Sequence, residues 1–409
     1  MANVYDVLKE RGFVEQVSDE GNVRAMLARA VTCYIGFDPT SSSFHAGSLL
    51  PVMALAHMQR HGHRVLAVVG GGTAMIGDPS GKTELRQLIA KEEIDANAEG
   101  LRLQLARFID FSGGRALMID NADWLRPLNY IEFLRDIGRH FSVNRMLAAE
   151  SYRMRLETGL NFIEFNYMLL QAYDYLTLYR RHGCTLQMGG NDQWGNILAG
   201  ADLIRRVEGA QAEALTFPLL TTATGAKMGK TEKGAVWLDP MRTSPYEYYQ
   251  FWINTDDRNV ERFLSLFTYL PMDEVRRLSA RTGEDLREAK ETLAFEATKL
   301  NHGESEATKA REASKALFSG EGDVSGAPVP TVGIARSRFE EGIPAFVLLA
   351  EAGLAKTRGE ARRLIAQGGA YVESRRIEAT DEMITLADLK DGAVLLRAGK
   401  KKYARVRAS

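Results

Sequence analysis

Apolar and polar residues follow one another along the first half of the chain in blocks that predict strands and helices in turn. Three apolar runs, Arg64–Val69, Arg115–Asp120 and Cys184–Met188, are each followed by a polar or glycine-rich turn and then by apolar residues at helical spacing. A further short run begins at Tyr34. Alternating strands and helices predict an α/β fold with a Rossmann-like, doubly wound parallel sheet.

The pattern changes in the second half of the chain, where it predicts three more parts. Apolar residues occur at helical spacing among many charges over residues 245–318, after the Rossmann-like domain at 1–244. Residues 319–342 begin with a stretch dense in Gly and Pro, which predicts a linker. A small α+β domain is predicted over 343–409.

Charge and composition narrow the class of protein. The 409 residues carry a net charge of -1, yet residues 343–409 hold 13 Lys and Arg against 8 Asp and Glu, a net of +5. A basic end on an acidic body favours a nucleic-acid contact there, and a merely soluble basic surface is the alternative. The two cysteines, Cys33 and Cys184, lack metal-ligand spacing, and no signal peptide or membrane-spanning run is found, so we expect a cytoplasmic protein without a structural metal.

The segment Tyr34–Ser48 predicts an anion site. It reads as a strand, a turn of small polar residues and the start of a helix that extends to about His61. Free N–H groups and the positive end of the helix dipole face such a turn, where Thr40 and His45 can donate hydrogen bonds to phosphate. Gly47 has no side chain, so a flat ring can approach the helix closely. An ordinary βα turn is the competing interpretation.

Two further segments place polar groups on an apolar background. Residues 161–180 predict one long helix on which Tyr167, Gln171 and Asp174 share a face, either in a polar pocket or in solvent. The strand from Cys184 ends in two glycines and a dense polar cluster. That cluster contains Gln187, Asp192 and Gln193. Asp192 can accept ribose hydroxyls, and the glycines let the backbone approach a nucleotide closely.

Two loops carry cations that suit a departing pyrophosphate. Residues 77–83 are not a P-loop, because Ile76 stands where that motif requires its first glycine. Lys82 and Arg86 instead lie on or behind a Gly/Pro-rich loop, where a solvated pair of charges is the alternative. A second loop of small residues, Thr222–Thr231, contains Lys227 and Lys230.

Together these segments resemble the class I aminoacyl-tRNA synthetases. The sequence His45-Ala46-Gly47-Ser48 is similar to their HIGH signature, with Ser48 in place of the second His, and 227–231 is similar to their KMSKS loop. The helix face of Tyr167 and the cluster at 187–194 resemble the tyrosine-specific bacterial branch. The basic C-terminal part from about Ile343 resembles an S4 RNA-binding domain, whose core is residues 353–372.

The resemblance implies a role for each matching residue. Tyrosine is bound by Tyr34, Asp78, Tyr167, Gln171, Asp174 and Gln187. ATP and the adenylate are bound by Gly36, Asp38, Gly47, Ser48, Gly190, Asp192, Gln193 and Lys230. The departing phosphates are stabilised by Thr40, His45, Lys82, Arg86, Lys227, Lys230 and Thr231. RNA is contacted by Lys356, Arg358, Arg362 and Arg363.

The implied reaction joins tyrosine to tRNA(Tyr) by way of tyrosyl-adenylate, with Mg-ATP as co-substrate and diphosphate released. Positioning and charge stabilisation dominate such a step, which agrees with the lack of a nucleophilic triad or a metal-ligand cluster in the sequence. The resemblance also implies a homodimer, with the interface between about residues 125 and 154. A tryptophan-specific synthetase and a non-enzymatic RNA-binding protein are the two alternatives.

Overall fold

The computed structural model describes residues 2–80, 89–157, 159–220, 228, 230–231, 234–319, 331–373, 375–399 and 402–409. The chain forms two compact units. One consists of Met1–Arg242 and Trp252–Asn301, which we call the N-terminal unit. The other consists of Thr243–Phe251 and His302–Ser409, which we call the C-terminal unit.

A sheet forms the centre of the N-terminal unit. Its strands are β1 (Gln16–Val17), β2 (Thr32–Phe37), β3 (Arg64–Val69), β4 (Ala116–Asp120), β5 (Cys184–Gly190) and β6 (Glu213–Phe217). Their order is β1-β6-β5-β2-β3-β4, and each neighbouring pair is parallel except β1 with β6. β3 is almost entirely buried, as its continuous apolar run predicts. The predicted doubly wound α/β sheet is therefore confirmed.

The direction in which the sheet grows reverses between β2 and β5. From β2 the chain continues to β3 and β4 on one side, and it reaches β5 and β6 on the other side. Tyr34 of β2 pairs in register with Gln187 of β5 at this boundary. In doubly wound sheets a crevice opens at the carboxyl ends of the two strands that flank such a reversal, and ligands bind in it.

Helices surround and follow the sheet. In the first 208 residues they are α1 (Val4–Glu10), α2 (Glu20–Met26), α3 (Leu49–Arg60), α4 (Lys91–Leu105), α5 (Ala122–Leu125), α6 (Tyr130–Asp136), α7 (Val143–Leu147), α8 (Glu150–Leu156), α9 (Phe162–Phe165), α10 (Tyr167–His182) and α11 (Trp194–Glu208). After a hairpin of β7 (Lys230–Thr231) and β8 (Gly234–Ala235) come α12 (Pro245–Ile253), α13 (Val260–Phe267), α14 (Met272–Ser279), α15 (Leu286–His302) and α16 (Glu304–Ser319).

The prediction of one helix over residues 161–180 is wrong in one respect, because the helix is interrupted at Asn166. The hydroxyl of Tyr152 donates to the Phe165 carbonyl at 2.9 Å and accepts from the Met168 amide at 3.2 Å. These bonds satisfy backbone groups on both sides of the interruption. α10 then ends at His182, and the next residue, Gly183, has a left-handed φ of 61° that suits a glycine cap.

The C-terminal unit contains a second sheet. Its strands, in the order β12-β11-β14-β15-β9, are β9 (Thr331–Ile334), β11 (Ala370–Val372), β12 (Arg375–Arg376), β14 (Ala393–Ala398) and β15 (Lys402–Ala408). β10 (Ile343–Pro344) pairs separately with β13 (Met383–Ile384). The helices α17 (Arg336–Glu341), α18 (Ala345–Glu351) and α19 (Arg358–Ala366) complete it, and Leu348, Ile365 and Leu396 belong to one buried core.

Part of the predicted linker is ordered secondary structure. β9 and α17 lie inside residues 319–342, and β9 pairs in parallel with β15 at the edge of the C-terminal sheet. The sheet therefore starts before residue 343. The division of the chain into four domains stays a prediction. Among the helices that the structure describes, none is long and apolar enough to cross a bilayer.

Candidate active site

A cavity of about 210 Å³ lies at the carboxyl ends of β2 and β5, where the sheet reverses. Ten of the residues singled out from the sequence line it: Tyr34, Gly36, Asp38, Asp78, Tyr167, Gln171, Asp174, Gln187, Gly190 and Gln193. The first and last of these residues are more than 150 positions apart in the chain, and the fold brings the whole set together. The cavity is also lined by Thr73, Asn121 and Pro51, which the sequence analysis did not assign to a site.

One end of the cavity is built around the carboxylate of Asp174. This side chain is only 4% exposed, and its two oxygens accept hydrogen bonds from Trp124 Nε1 at 2.7 Å and Asn121 Nδ2 at 2.9 Å. Burial raises the pKa of Asp174 to about 7, while the two donors oppose that shift. The carboxylate is therefore held in one orientation and titrates near neutrality.

The hydroxyl of Tyr34 is unpaired at the same end of the cavity. Tyr34 is 2% exposed, its ring packs edge-on against Tyr175 at 5.3 Å, and its buried hydroxyl has no hydrogen-bond partner among the described residues. Burial raises its pKa well above the usual value, and the charge of Asp174 raises it further. A buried hydroxyl without a partner costs free energy, which a bound polar group can recover.

A hydrogen-bonded chain connects this end of the cavity to the other. Asn121 Nδ2 also lies 3.0 Å from Thr73 Oγ1, and that hydroxyl lies 2.8 Å from Asp38 Oδ1. The hydroxyl of Tyr167 donates to the second oxygen of Asp38 at 3.0 Å. The orientations of Asp174 and Asp38 are thus linked through a few short contacts.

Asn121, Trp124 and Thr73 are the residues that the sequence analysis missed. A usable signal was present, because Thr73 follows the three glycines after β3 and Asn121 directly follows β4. Polar residues at the carboxyl ends of parallel strands are candidates for a site. Trp124 gives no such signal, because only its tertiary contact with Asp174 reveals its part.

The face of α10 points into the cavity, and its side chains are held by neighbours. Gln171 Oε1 accepts from Asn196 Nδ2 at 3.0 Å, and Gln193 Nε2 donates to Asp78 Oδ2 at 2.6 Å. The other oxygen of Asp78 accepts from the Ser80 amide at 2.9 Å. Polar contacts of this kind describe a polar pocket and not a solvated helix face.

A second buried polar atom without a partner among the described residues is the side-chain oxygen of Gln187 on β5, next to β2. Gln187 is 2% exposed, and its Oε1 has no partner among the residues that the structure describes. Gly190, at the end of β5, leaves room for a close neighbour, since a Cβ there would lie 2.6 Å from Asp192 Oδ1. The amide oxygen of Gln187 is therefore a free acceptor inside the cavity.

The turn predicted as an anion site leads into α3 through a short 3₁₀ turn at Ala46–Ser48. Thr40 is exposed, and His45 and Ser48 are half-buried. A Cβ on Gly47 would lie 2.6 Å from the Met228 carbonyl oxygen, which explains why glycine occupies this position. Pro51 lies in the first turn of α3 and also lines the cavity.

Several predicted residues fall outside what the structure describes. Lys82, Arg86 and Lys227 lie outside the described residues. Lys230 and Thr231 are described only as the backbone of β7. Among the described residues, no group of three or more His, Cys, Asp or Glu side chains is arranged to hold a metal ion.

The four basic residues proposed for RNA contact occur at and before α19 in the C-terminal unit. Thr357 caps this helix by accepting from the Glu360 amide, and the Lys356 amide donates to the Glu360 carboxylate at 2.7 Å. The Arg362 guanidinium lies 3.9 Å from the centroid of the Phe346 ring. Arg358 and Arg363, on the same helix, complete the set.

Comparisons with known proteins agree with this arrangement. Residues 26–319 match the family model of tRNA synthetases class I (W and Y), and residues 327–406 match the tyrosine–tRNA ligase SYY-like C-terminal domain. The chain therefore belongs to the class I tRNA synthetases of the tryptophan and tyrosine group.

Two relatives that this chain matches over nearly their whole length are tyrosine–tRNA ligases. The chain is 58% identical over 98% of its length to the tyrosine–tRNA ligase of Syntrophus aciditrophicus, and 58% identical over 98% to that of Desulfosudis oleivorans, with 98% of each relative covered. It is also similar to the C-terminally truncated mitochondrial tyrosyl-tRNA synthetase of Aspergillus nidulans, with 31% identity, a TM-score of 0.70, and 78% of this chain and 95% of that chain covered.

Proposed function

We propose that this protein is a tyrosine–tRNA ligase, which activates L-tyrosine with ATP and transfers it to the 3′ end of tRNA(Tyr). The observation that supports tyrosine most directly is the unpaired, buried hydroxyl of Tyr34 at the end of the cavity that holds Asp174. A phenol hydroxyl both donates and accepts, so it pairs with a carboxylate and a second hydroxyl at once. An indole N–H only donates, which disfavours tryptophan.

The remaining groups of tyrosine have partners along the cavity. Its ammonium is held by Asp78, Tyr167 and Gln171, which offer oxygen acceptors near one another. Gln187 is directed at the substrate carboxylate and the ribose side. This orientation leaves the carboxylate facing the end where β2 and β5 meet α3.

Adenylate formation needs little covalent help from the protein. The substrate carboxylate attacks the α-phosphorus of Mg-ATP, one P–O bond forms as another breaks, and pyrophosphate leaves. The nucleotide is bound by backbone and polar groups of Gly36, Asp38, Gly47, Ser48, Gly190, Asp192 and Gln193. Thr40 and His45 stabilise the departing phosphates, together with Lys82, Arg86, Lys227, Lys230 and Thr231. The ribose hydroxyl of tRNA then attacks the acyl carbon and releases AMP.

The C-terminal unit supplies the tRNA contact through Lys356, Arg358, Arg362 and Arg363. A double variant, Arg358→Ala with Arg363→Ala, should raise the KM for tRNA(Tyr) and leave tyrosine-dependent ATP–pyrophosphate exchange unchanged. A truncation after Ser319 removes the complete C-terminal sheet, including β9, and should likewise spare exchange while it cripples transfer. Equal loss of both steps in the double variant would contradict this assignment.

An exposed apolar surface supports a homodimer. Seven of the large apolar side chains that are exposed in the described residues lie between positions 130 and 163, on α6 to α9 and the segments next to them: Tyr130, Ile131, Leu134, Val143, Leu156, Phe162 and Ile163. Ile131 is 70% exposed, which is costly for an isolated monomer when its neighbours are also apolar. Ile131→Asp should shift the protein to the monomer in sedimentation experiments, whereas a wild-type monomer would exclude this interface. We also propose a cytoplasmic location.

The decisive experiment compares tyrosine, phenylalanine and tryptophan in amino-acid-dependent ATP–pyrophosphate exchange. Exchange that depends on tyrosine supports the proposed function, and exchange that depends on tryptophan overturns it. The non-enzymatic alternative is tested with Lys230→Ala, which should abolish adenylate formation while tRNA binding persists. Unchanged exchange in that variant would refute the catalytic assignment of the loop.

A further inference from the structure

The segment after β8, residues 236–238, is hydrogen-bonded to the turn that carries His45. The Ala46 amide donates to the Val236 carbonyl at 2.8 Å, and the Leu238 amide donates to the Phe44 carbonyl at 2.9 Å. His45 and Trp237 form an antiparallel bridge between these two bonds. We call residues 236–238 the exit strand. Its position and that of the His45 backbone are therefore set together.

Arg242 covers the side chains on the outside of this junction. Its guanidinium lies 3.3 Å from the centroid of the Trp237 ring, and its Nη1 donates to Ser41 Oγ at 3.0 Å. The Trp237 ring in turn meets the His45 imidazole edge-on, at 6.3 Å and 68°. One arginine thus ties the exit strand to the polar turn between β2 and α3.

The chemistry of this contact requires arginine in particular. A planar guanidinium can stack on an indole while one of its in-plane N–H groups donates to Ser41. An ammonium on a lysine is a compact point charge and cannot make both contacts with the same geometry. Arg242 is itself exposed, so its cationic charge is screened and its stacking carries most of the effect.

We propose that Arg242 is a positioning residue for adenylate formation. It fixes Trp237 against His45 and so sets where the catalytic loop rejoins the body of the N-terminal unit. The proposal rests on the proposed function, because that function assigns His45 and the loop to the departing phosphates. It predicts an effect on the rate of the chemical step, where a small displacement matters, and no effect on tyrosine recognition at the other end of the cavity.

The kinetic test uses three variants of the full chain. Arg242→Ala and Arg242→Lys should each lower the maximal rate of tyrosine-dependent exchange about tenfold, with the KM for tyrosine unchanged. Met241→Ala is the matched control, because Met241 is the neighbouring residue and is 91% exposed. A wild-type rate in Arg242→Ala would overturn the proposal. Full activity in Arg242→Lys with reduced activity in Arg242→Ala would mean that the positive charge matters and not the stacking on Trp237. That result would also overturn the proposal.

A second measurement separates this inference from the proposed function. Hydrogen exchange of the Ala46 and Leu238 amides reports the two bonds between the exit strand and the His45 turn without any substrate. Both amides should exchange faster in Arg242→Ala and Arg242→Lys than in the wild type and in Met241→Ala. Unchanged hydrogen exchange of both amides in the arginine variants would refute the positioning role even if the enzyme proves tyrosine-specific. Faster hydrogen exchange in the arginine variants, together with a wild type that shows no tyrosine-dependent ATP–pyrophosphate exchange, would instead refute the proposed function.

Discussion

The two ends of the cavity differ in how much water reaches them. At the buried end, Asp174 and Tyr34 are 4% and 2% exposed, and the carboxylate is already oriented by two donors. At the other end, which we propose receives ATP and call the phosphate end, Gly36 is exposed. The turn into α3, proposed for the departing phosphates, has Thr40 exposed and His45 half-buried. Where water is excluded, each missing hydrogen bond is expensive. We therefore expect specificity to be concentrated at the buried end, which we propose binds the phenol and call the phenol end, and backbone fit to matter more at the phosphate end.

The largest effect is expected from Asp174→Asn. The amide would turn a donor group toward the donors of Asn121 and Trp124. The carboxylate that we propose as the acceptor of the substrate phenol would also be lost. Removing a charged acceptor and leaving donors unpaired costs about 4 kcal/mol, or about a thousandfold in kcat/KM for tyrosine. Steady-state exchange kinetics measure this loss.

Asp123→Asn is the matched control for that variant. Asp123 is an exposed carboxylate on α5, next to Trp124 in sequence, and its replacement should leave the kinetics unchanged. A loss of less than about tenfold in Asp174→Asn would mean that the phenol end does not dominate recognition.

At the phosphate end, the largest effect should come from backbone geometry. In Gly47→Ala the new methyl group would lie 2.6 Å from the Met228 carbonyl oxygen and 2.9 Å from the His45 ring, so the loop or the histidine must move. We expect the maximal exchange rate to fall by about a hundredfold, which corresponds to about 3 kcal/mol of overpacking. The KM for tyrosine should stay within about twofold of wild type. A raised tyrosine KM with an intact maximal rate would show that the two ends are not separate.

Tyr34→Phe should have a smaller effect that is confined to specificity. It removes the unpaired hydroxyl and keeps the ring packed against Tyr175. One neutral hydrogen bond to the substrate is lost, so kcat/KM for tyrosine should fall about tenfold while phenylalanine is affected little. An equal loss for both amino acids would indicate damaged packing and not a lost contact.

The smallest effect is a pH dependence of tyrosine binding. In the proposed binding mode the ionised form of Asp174 accepts the phenol hydroxyl. Burial raises the pKa of Asp174 to about 7. Protonation as the pH falls through that value removes the acceptor. The KM for tyrosine should therefore rise about fourfold from pH 8 to pH 6.5. The same rise in Asp174→Asn would assign the titration to another group.

The same pKa shift acts on folding stability in the opposite direction: tyrosine binding weakens as the pH falls, whereas stability decreases as the pH rises. Because the pKa in the folded state is above its unfolded value, this carboxyl contributes most to stability below about pH 4, and that contribution is lost as the pH rises toward 7. At neutral pH this buried carboxyl is partly ionised and contributes less to stability than it does in acid. Asp174→Asn should remove this part of the pH dependence of unfolding.

The sequence predicts the parts of this site that depend on local order. The spacing of Tyr167, Gln171 and Asp174 follows from helical geometry, and the buried run at Arg64–Val69 predicts a parallel strand. What it does not reveal depends on distant contacts. Trp124 bonds a residue 50 positions away, and Tyr152 interrupts a helix that the local pattern favours.

The C-terminal unit shows the same limit. Thr331–Ile334 gives only a four-residue signal next to a Gly/Pro-rich stretch, so it reads as linker. Its place in the sheet depends on parallel pairing with β15, about 70 positions later. Long-range strand pairing is set by the tertiary structure and leaves little trace in a short segment.

We propose that the buried end of the cavity selects tyrosine by binding its phenol hydroxyl. The most direct test is the ratio of kcat/KM for tyrosine to that for phenylalanine in ATP–pyrophosphate exchange by the wild-type protein. Phenylalanine would leave both the Tyr34 hydroxyl and the Asp174 carboxylate without a substrate partner, so the ratio should be at least about a thousandfold. A ratio below about tenfold would contradict the account.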